Sequence, residues 1–220
     1  MINSFKIMVK SWVKVLPFYL FTLLPLLVSC TEDETEEGEF DNWKQKNEAV
    51  IEQWAANTSY QKILTYSKDV TTPNITNSDY IYVEVLETGS GTETPLFTDS
   101  IMYSYRGRLI PTKSYEKGYM FEQTFLGDFD WTTAGMLKVC VSWNPVVTST
   151  GTVDVLFTEG FCTALQNMKK GDRWLVHIPY QLGYGASSNR EGTIPGYSNL
   201  IFELAIADVW HPGESRPDFK

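Results

Sequence analysis

The sequence has 220 residues, of which 43% are hydrophobic and 14% aromatic, which is enough for one main domain with a core and a short remainder. Its formal net charge of −9 argues against nucleic acid as a partner, because nucleic-acid-binding chains present basic surfaces to phosphates. The chain has three cysteines and two histidines without a CxxC motif or a Cys/His cluster, so we expect no metal site and no cofactor.

The N-terminus, residues 1–29, predicts a lipoprotein signal peptide. Three lysines precede an apolar run from 15 to 28, and the letters LVSC at 27–30 resemble the bacterial lipobox. This run is shorter than the roughly twenty residues that a membrane-spanning helix needs. We therefore expect a lipid anchor at Cys30 in the bacterial cell envelope, at the outer membrane on its periplasmic or its surface face.

An acidic tether, residues 30–39, follows the predicted cleavage site. Removal of residues 1–29 takes away three lysines and no acidic residue, which changes the formal net charge from −9 to −12. The stretch TEDETEEGEF has almost nothing to bury, which is typical of a solvated spacer. Acidic residues directly after a lipid-bearing cysteine also resemble the surface-export signal of Bacteroidetes lipoproteins, so display on the outer face is a second hypothesis.

Residues 40–67 predict a helical arm. Phe40, Trp43, Val50 and Trp54 lie near helical spacing up to about residue 56, and the letters SYQKILTYS favour a second helical turn. The two tryptophans could dock on the chain's own domain or on a second subunit, which leaves the oligomeric state open. A linker rich in turn-forming residues, 68–79, then separates this arm from the rest.

The main domain is expected at 80–210, with a polar tail at 211–220. Strands are predicted at DYIYVEVLE, DSIMYSYRGRLI, DRWLVHIP and NLIFELAIADVW, and a single helix at EGFCTALQNMKKGD. Several strands with few helices indicate an α+β domain built on an antiparallel sheet.

The strand DRWLVHIP should bury one face, since successive side chains of a strand point in opposite directions. We expect Trp174, Val176 and Ile178 to face the core and His177 to lie on the surface, not in a catalytic site. There is no GxSxG motif, so a serine hydrolase has no support.

Two cysteines remain if Cys30 carries lipid. Cys140 and Cys162 could form a disulfide in an oxidising compartment, or they could be two buried thiols. Their spacing does not decide between the two alternatives.

The order of four segments resembles the FKBP-type peptidyl-prolyl cis-trans isomerases. These segments are YSYRGRL, MFEQTF, GFCTALQNMKKGDRWLVHIPYQLGYG and TIPGYSNLIFELAIADV, and the resemblance covers 80–210 except for an insertion at about 126–152. It implies an antiparallel sheet of five to six strands that curls around one short helix, with an aromatic cup between them.

The resemblance also implies the site residues. Those expected to act on the bond are Tyr105, Phe121, Glu122, Phe161, Tyr184 and Phe202. Those expected to hold the substrate are Phe157, Thr158 through its backbone N–H, and Ile194. No metal ligand is implied.

Departures from the family pattern qualify what the resemblance implies. Glu122 replaces the usual Asp, Phe161 the usual Trp and Thr158 the usual Ile, while Trp131 or Trp143 of the insertion could line the cup or plug it.

The expected function is isomerisation of X-Pro bonds in proline-containing polypeptides of the envelope or the secreted fraction. The alternative is a catalytically weak binding or chaperone module.

Overall fold

The computed structural model describes residues 38–141, 157–189 and 192–214, and the backbone of two short strands within 142–156. From Glu39 onward the chain forms one compact unit. The predicted signal peptide, the predicted lipidation site Cys30, nearly all of the acidic tether, Trp143 and most of the polar tail lie outside the described residues. Within the described part, no helix is both long enough and apolar enough for a membrane crossing.

The described elements begin with an N-terminal helix, which is followed by seven strands, a second helix and two further strands. In chain order they are α1 (Trp43–Ala56), β1 (Gln61–Leu64), β2 (Tyr80–Glu87), β3 (Ser100–Leu109), β4 (Met120–Gln123), β5 (Leu137–Cys140), β6 (Val146–Val147), β7 (Val153–Asp154), α2 (Glu159–Asn167), β8 (Arg173–Ile178) and β9 (Leu200–Trp210). Short 3-10 helices precede β2, at Asn77–Asp79, and follow β8, at Tyr180–Leu182.

Seven strands form one antiparallel sheet in the order β1-β2-β8-β9-β3-β4, with β5 also paired to β3. The longest pairing joins β3 to β9, from Ser100 opposite Trp210 to Leu109 opposite Leu200. The predicted α+β fold class is confirmed. The sheet exceeds the predicted five to six strands because β1, from the presumed arm, and β5, from the presumed insertion, both join it.

The sheet is covered by a helix on each face. Gly160 of α2 packs so closely on Ile178 that an added Cβ would lie 2.3 Å from Ile178 Cγ2. The neighbouring residue, His177, faces the other side of the sheet and contacts the ring of Trp54 from α1, with 5.0 Å between ring centroids. The strands between the two helices are therefore apolar on both faces, and Val176 and Ile178 are fully buried.

The helix predicted at the start of the arm is present, but the second helical turn predicted at 59–67 is wrong. Residues Gln61–Leu64 form β1, which pairs with Tyr80–Val83 of β2. Hydrogen bonds to an existing strand edge outweigh the weak local preference for a helical turn in this short segment.

The presumed linker folds back instead of separating the arm from the domain. Lys68 forms an ion pair with Asp79, and the N–H of Thr65 donates to the carbonyl of Asp79 at 2.9 Å.

Of the two docking partners considered for the tryptophans, the chain's own domain is the one observed. Trp43 Nε1 donates to Ser198 Oγ at 2.8 Å, and both tryptophans are buried.

His177 is buried, and its predicted surface position is wrong. Only 5% of the side chain is exposed, because Tyr60 stacks on the ring at 4.7 Å between centroids and Trp54 packs against it. Neither ring nitrogen has a hydrogen-bond partner among the described residues. Burial, with the nearby charge of Arg108, lowers the pKa of His177 to about 4. The ring is neutral at pH 7.

Cys140 and Cys162 do not form a disulfide. Cys162 lies in α2, is fully buried, and its Sγ contacts the carbonyl oxygen of Val141 at 3.7 Å. Burial raises the pKa of this thiol to about 12, so it stays protonated and unreactive.

Candidate functional site

One aromatic cup opens between α2 and the sheet. Its cavity measures about 60 Å³. The side chains that line it are Tyr105, Phe121, Glu122, Phe157, Thr158, Phe161, Tyr184 and Phe202. Eight of the nine residues that the family resemblance suggested therefore surround a single cavity, although they come from five separate segments of the chain.

The floor of the cup is Phe161, in the first turn of α2. It is 3% exposed, stacks on Phe157 with 4.7 Å between ring centroids, and meets Phe202 edge to face at 4.9 Å. The close packing of Gly160 on the side chain of Ile178 brings this turn against the sheet. Phenylalanine in place of the family's usual tryptophan thus keeps an apolar, tightly held floor.

The walls depend on a glycine near the end of β3. Gly107 lies opposite Glu122 on one side and Phe202 on the other. An added Cβ at Gly107 would lie 2.5 Å from the ring of Phe121 and 2.6 Å from that of Phe202. The absent side chain lets these two rings meet edge to face at 5.6 Å. Sequence analysis did not assign Gly107 to the site, although a glycine inside a strand is a recognisable signal.

Tyr103 supports the cup from behind and was also missed as a site residue. Its ring stacks on Tyr105 at 5.6 Å between centroids and meets Phe161 edge to face at 6.2 Å. The signal was the YSY pattern, since residues two apart on a strand share a face. This second layer of aromatic rings fixes the positions of the rings that line the cavity.

The cup contains few polar groups. Burial, together with a hydrogen bond to Glu122, raises the pKa of the Tyr105 hydroxyl, which therefore remains a proton donor. Glu122 is exposed at the rim. The longer acid that replaces the family's aspartate thus lines the same cavity as the tyrosine on the wall.

Thr158 presents unpaired groups at the start of α2. The first hydrogen bond of this helix runs from the N–H of Cys162 to the carbonyl of Thr158. The N–H groups from 158 to 161 consequently have no acceptor within the helix. The Oγ1 of Thr158 is buried and has no partner among the described residues. A carbonyl oxygen placed in the cup would find donors here, and the helix N-terminus favours such partial negative charge.

Tyr184 lies at the side of the cup and is 40% exposed. The flanking backbone is held by two hydrogen bonds of 2.8 Å, from Gly185 N–H to the carbonyl of Tyr180 and from Tyr197 N–H to the carbonyl of Gly185. Gly185 has a φ of +67°, which a residue with a side chain rarely adopts. This turn brings Tyr184 to the cavity.

Ile194 is not among the lining residues. It is 1% exposed and belongs to the hydrophobic core. Its N–H donates to Asn189 Oδ1 at 2.8 Å, and its carbonyl accepts from the N–H of Asn189 at 3.1 Å. Ile194 thus anchors the base of the loop between Tyr184 and β9.

The described part of the insertion leaves the cup open. Trp131 Nε1 donates to Glu87 Oε2 at 2.8 Å, and its ring meets Phe129 edge to face at 4.9 Å. Phe129 in turn lies under the guanidinium of Arg173, 5.2 Å from the ring centroid. Of the two tryptophans that could plug the cavity, Trp131 does not line it, and Trp143 lies outside the described residues.

The described residues contain no group of three or more His, Cys, Asp or Glu side chains that could hold a metal ion. The groups that the cup offers are aromatic rings, the hydroxyls of two tyrosines and a threonine, one carboxylate and the N–H groups at the start of α2.

Comparison with known proteins identifies what this arrangement is similar to. Residues 91–207 match the family model described as FKBP-type peptidyl-prolyl cis-trans isomerase. The chain is 28% identical over 134 residues to the FKBP-type peptidyl-prolyl cis-trans isomerase FkpA of Escherichia coli K12, covering 61% of this chain and 39% of that protein. It is 41% identical over 58 residues to a macrophage infectivity potentiator of Trypanosoma cruzi, covering 26% of this chain and 29% of that one. The matched segments thus span well under half of these relatives.

Solved structures show the same fold. A peptidyl-prolyl cis-trans isomerase from Pseudomonas syringae pv. tomato superposes with a TM-score of 0.51 at 19% identity, covering 80% of this chain and 98% of that one. FkpA from Escherichia coli superposes with a TM-score of 0.50 at 23% identity, covering 77% and 60%.

Proposed function

The chain belongs to the FKBP-type peptidyl-prolyl cis-trans isomerase family, and we propose that it catalyses cis-trans isomerisation of X-Pro bonds in proline-containing polypeptides. One observation carries the proposal: an open, apolar cup with hydrogen-bond donors at its edge, into which the described part of the insertion does not extend.

The reaction has a physical requirement that such a cup meets. Rotation about an X-Pro bond breaks amide resonance and faces a barrier of about 18–20 kcal/mol. A twisted amide is less charge-separated than a planar one, so an apolar site stabilises it relative to the ground state. Lowering the barrier by about 4 kcal/mol gives roughly a thousandfold acceleration.

Each part of the cup has a role in this proposal. The rings of Tyr105, Phe121, Phe161 and Phe202 exclude water from the twisting bond. The N–H of Thr158 and the hydroxyl of Tyr184 bind the flanking carbonyls and hold the peptide while the bond turns. The lining side chains include no Ser, Cys, Lys or His, and the reaction needs neither a nucleophile nor a proton transfer.

The test is a proline-limited peptide assay and a proline-limited refolding assay on the purified protein. We expect bound peptide to isomerise at least about a hundredfold faster than free peptide. The control variant is Leu126→Ala, which removes an 81% exposed side chain that does not line the cup and should leave the rate unchanged. A folded protein that accelerates neither reaction would contradict the proposal.

A binding module is the second candidate, and the departures at the cup favour it. Glu122 brings a carboxylate to the lining of the cup, and Thr158 makes the wall less apolar than the family's isoleucine would. In this case proline peptides shift the NMR signals of cup residues on titration, whereas exchange between cis and trans peptide is not accelerated. The two measurements on one sample separate the candidates.

We propose in addition that the protein is anchored to the bacterial envelope by lipid at Cys30 and acts there on envelope or secreted polypeptides. The support is the lysine-rich start, the short apolar run and the LVSC pattern. Metabolic labelling with a fatty-acid analogue should mark the wild type and not Cys30→Ala. Protease treatment of intact cells then distinguishes a surface from a periplasmic location.

A further inference from the structure

A buried pair of asparagines joins α1 to the segment before β9. Asn47 and Asn199 are both fully buried. The N–H of Asn199 donates to Asn47 Oδ1 at 2.7 Å, and Asn199 Nδ2 donates to the carbonyl of Asn47 at 2.8 Å. Asn47 Nδ2 completes the pair by donating to the carbonyl of Trp43 at 2.8 Å. A fully satisfied buried network of this kind fixes one arrangement of the elements it joins.

The asparagine pair continues to the loop that carries Tyr184. The N–H of Tyr180 donates to Asn199 Oδ1 at 2.9 Å. The carbonyl of Tyr180 accepts from the N–H groups of Gly183 at 3.0 Å and Gly185 at 2.8 Å. These two glycines flank Tyr184, so a continuous chain of hydrogen bonds runs from α1 to this side of the cup.

A second polar contact joins the segment after β1 to the start of α2. Thr65 is fully buried, and its Oγ1 donates to Glu159 Oε1 at 2.6 Å. The hydroxyl of Ser67 donates to the same carboxylate oxygen. The N–H of Tyr66 donates to Thr163 Oγ1 at 3.3 Å, one turn further along the helix. Glu159 is the residue between Thr158 and Gly160, so this contact acts on the turn that supplies the floor of the cup.

We propose that the arm positions the cup through these two polar contacts, that of Asn47 with Asn199 and that of Thr65 and Ser67 with Glu159. Asn47 fixes the position of the loop that carries Tyr184, and Glu159 fixes the position of the first turn of α2. Both act through other residues and touch no substrate. The proposal rests on the proposed isomerase function for its kinetic readout, and it extends the active unit beyond residues 91–207 that match the family model.

The first test is kinetic. We expect Asn47→Ala and Glu159→Leu each to lower kcat/KM about fivefold in the peptide assay. Glu159→Gln should recover to within twofold of the wild type, because the amide oxygen still accepts from the hydroxyls of Thr65 and Ser67. Loss of the same size in Glu159→Gln and Glu159→Leu would overturn the role of this contact.

A matched control separates positioning from general stability. Trp54→Phe weakens the docking of α1 on His177 and Tyr82 without touching either polar contact. It should lower the melting temperature at least as much as Asn47→Ala while leaving kcat/KM within twofold of the wild type. If kcat/KM falls in proportion to the melting temperature across Asn47→Ala, Glu159→Leu and Trp54→Phe, the arm is merely structural and the proposal fails.

An NMR measurement keeps the proposal independent of activity. In Asn47→Ala the amide signals from 183 to 185 should shift, and in Glu159→Leu those from 158 to 161, each without change at the other site. Unchanged signals at both sites would overturn the proposal even if the wild type is active. If the wild type is inactive, the isomerase function fails and these shifts still decide the positioning role. If Glu159→Leu does not fold, Ser67→Ala, at an exposed position, tests the same contact with smaller shifts from 158 to 161.

Discussion

Phe161 and Phe202 meet edge to face at 4.9 Å between ring centroids, at an interplanar angle of 86°, and so join the floor of the cup to the middle of the sheet. Phe161 belongs to α2 and Phe202 to β9. Each ring packs against further aromatic neighbours, Phe157 for Phe161 and Phe121 for Phe202, so the lining of the cavity is a continuous aromatic cluster.

Replacing Phe202 with alanine should affect both stability and activity. The ring is 6% exposed and contacts Tyr105, Phe121 and Phe161. Its removal costs about 3–5 kcal/mol in the free energy of unfolding, and we expect kcat/KM to fall at least tenfold. Denaturant unfolding and the peptide assay measure the two effects. Full activity in a folded Phe202→Ala protein would exclude this wall from the reaction.

Gly107→Ala should deform the cup without adding a polar group. The new methyl group would overlap the rings of Phe121 and Phe202, so we expect a loss of about 1–3 kcal/mol in unfolding free energy. Activity should fall with it because the two rings must separate. Gly127→Ala is an informative comparison, since a Cβ there meets no atom within 4 Å and only the φ of +69° is unfavourable. Equal loss of activity in both variants would contradict the steric explanation.

Tyr184→Phe should distinguish the contribution of the hydroxyl from that of the ring, because it removes only the hydroxyl. The side chain is 40% exposed, and we expect the unfolding free energy to change by about 0.5 kcal/mol or less. If the hydroxyl binds a substrate carbonyl, kcat/KM should fall by about threefold to tenfold, as expected for one lost hydrogen bond. An unchanged kcat/KM would remove Tyr184 from the substrate-binding residues and leave it as a wall of the cup.

Stability should fall in mild acid because of His177. Its pKa is about 4 in the folded protein against an ordinary 6.5, so the folded state favours the neutral ring. The corresponding stability is fully present above pH 6.5 and is lost as the pH falls from 6.5 towards 4. The full effect is about 3 kcal/mol. His177 faces Trp54, Tyr60 and Tyr82, with Arg108 as the nearby charge, so no acidic partner offsets protonation among these groups.

His177→Phe provides the check, with unfolding free energy measured from pH 7.5 to 4.5. We expect the variant to lose most of the slope between pH 6.5 and 5. His211 acts in the opposite direction, since its contacts with Asp99 raise its pKa, and its contribution is lost as the pH rises. Both proteins are therefore compared in a His211→Gln background. An unchanged slope in His177→Phe would show that other groups cause the acid sensitivity.

The sequence allowed the long strands and α2 to be predicted because each has a strong local pattern. The alternation in YIYVEVLE and the ten-residue run around YSYRGRL match β2 and β3 closely. Eight cup residues could be placed together only through the family resemblance, since they are separated by up to 97 positions and no periodicity connects them.

The errors have a common physical cause, which is long-range packing. The segment Gln61–Leu64 becomes a strand only because the edge of β2 is available. His177 is buried only because α1 packs over its face of the sheet. The alternation of polar and apolar residues along the strand predicts that this face is exposed. Each outcome depends on a partner far away along the chain.

The central place of β9 determines when the cup can form. This strand is the last one described, yet it lies between β3 and β8 and carries Phe202. Contacts between residues about 100 positions apart close slowly, because a long loop must be ordered first. During synthesis, the chain can complete its aromatic cup only after Phe202 has emerged, and until then Phe161 and Tyr105 lack the ring that packs against both.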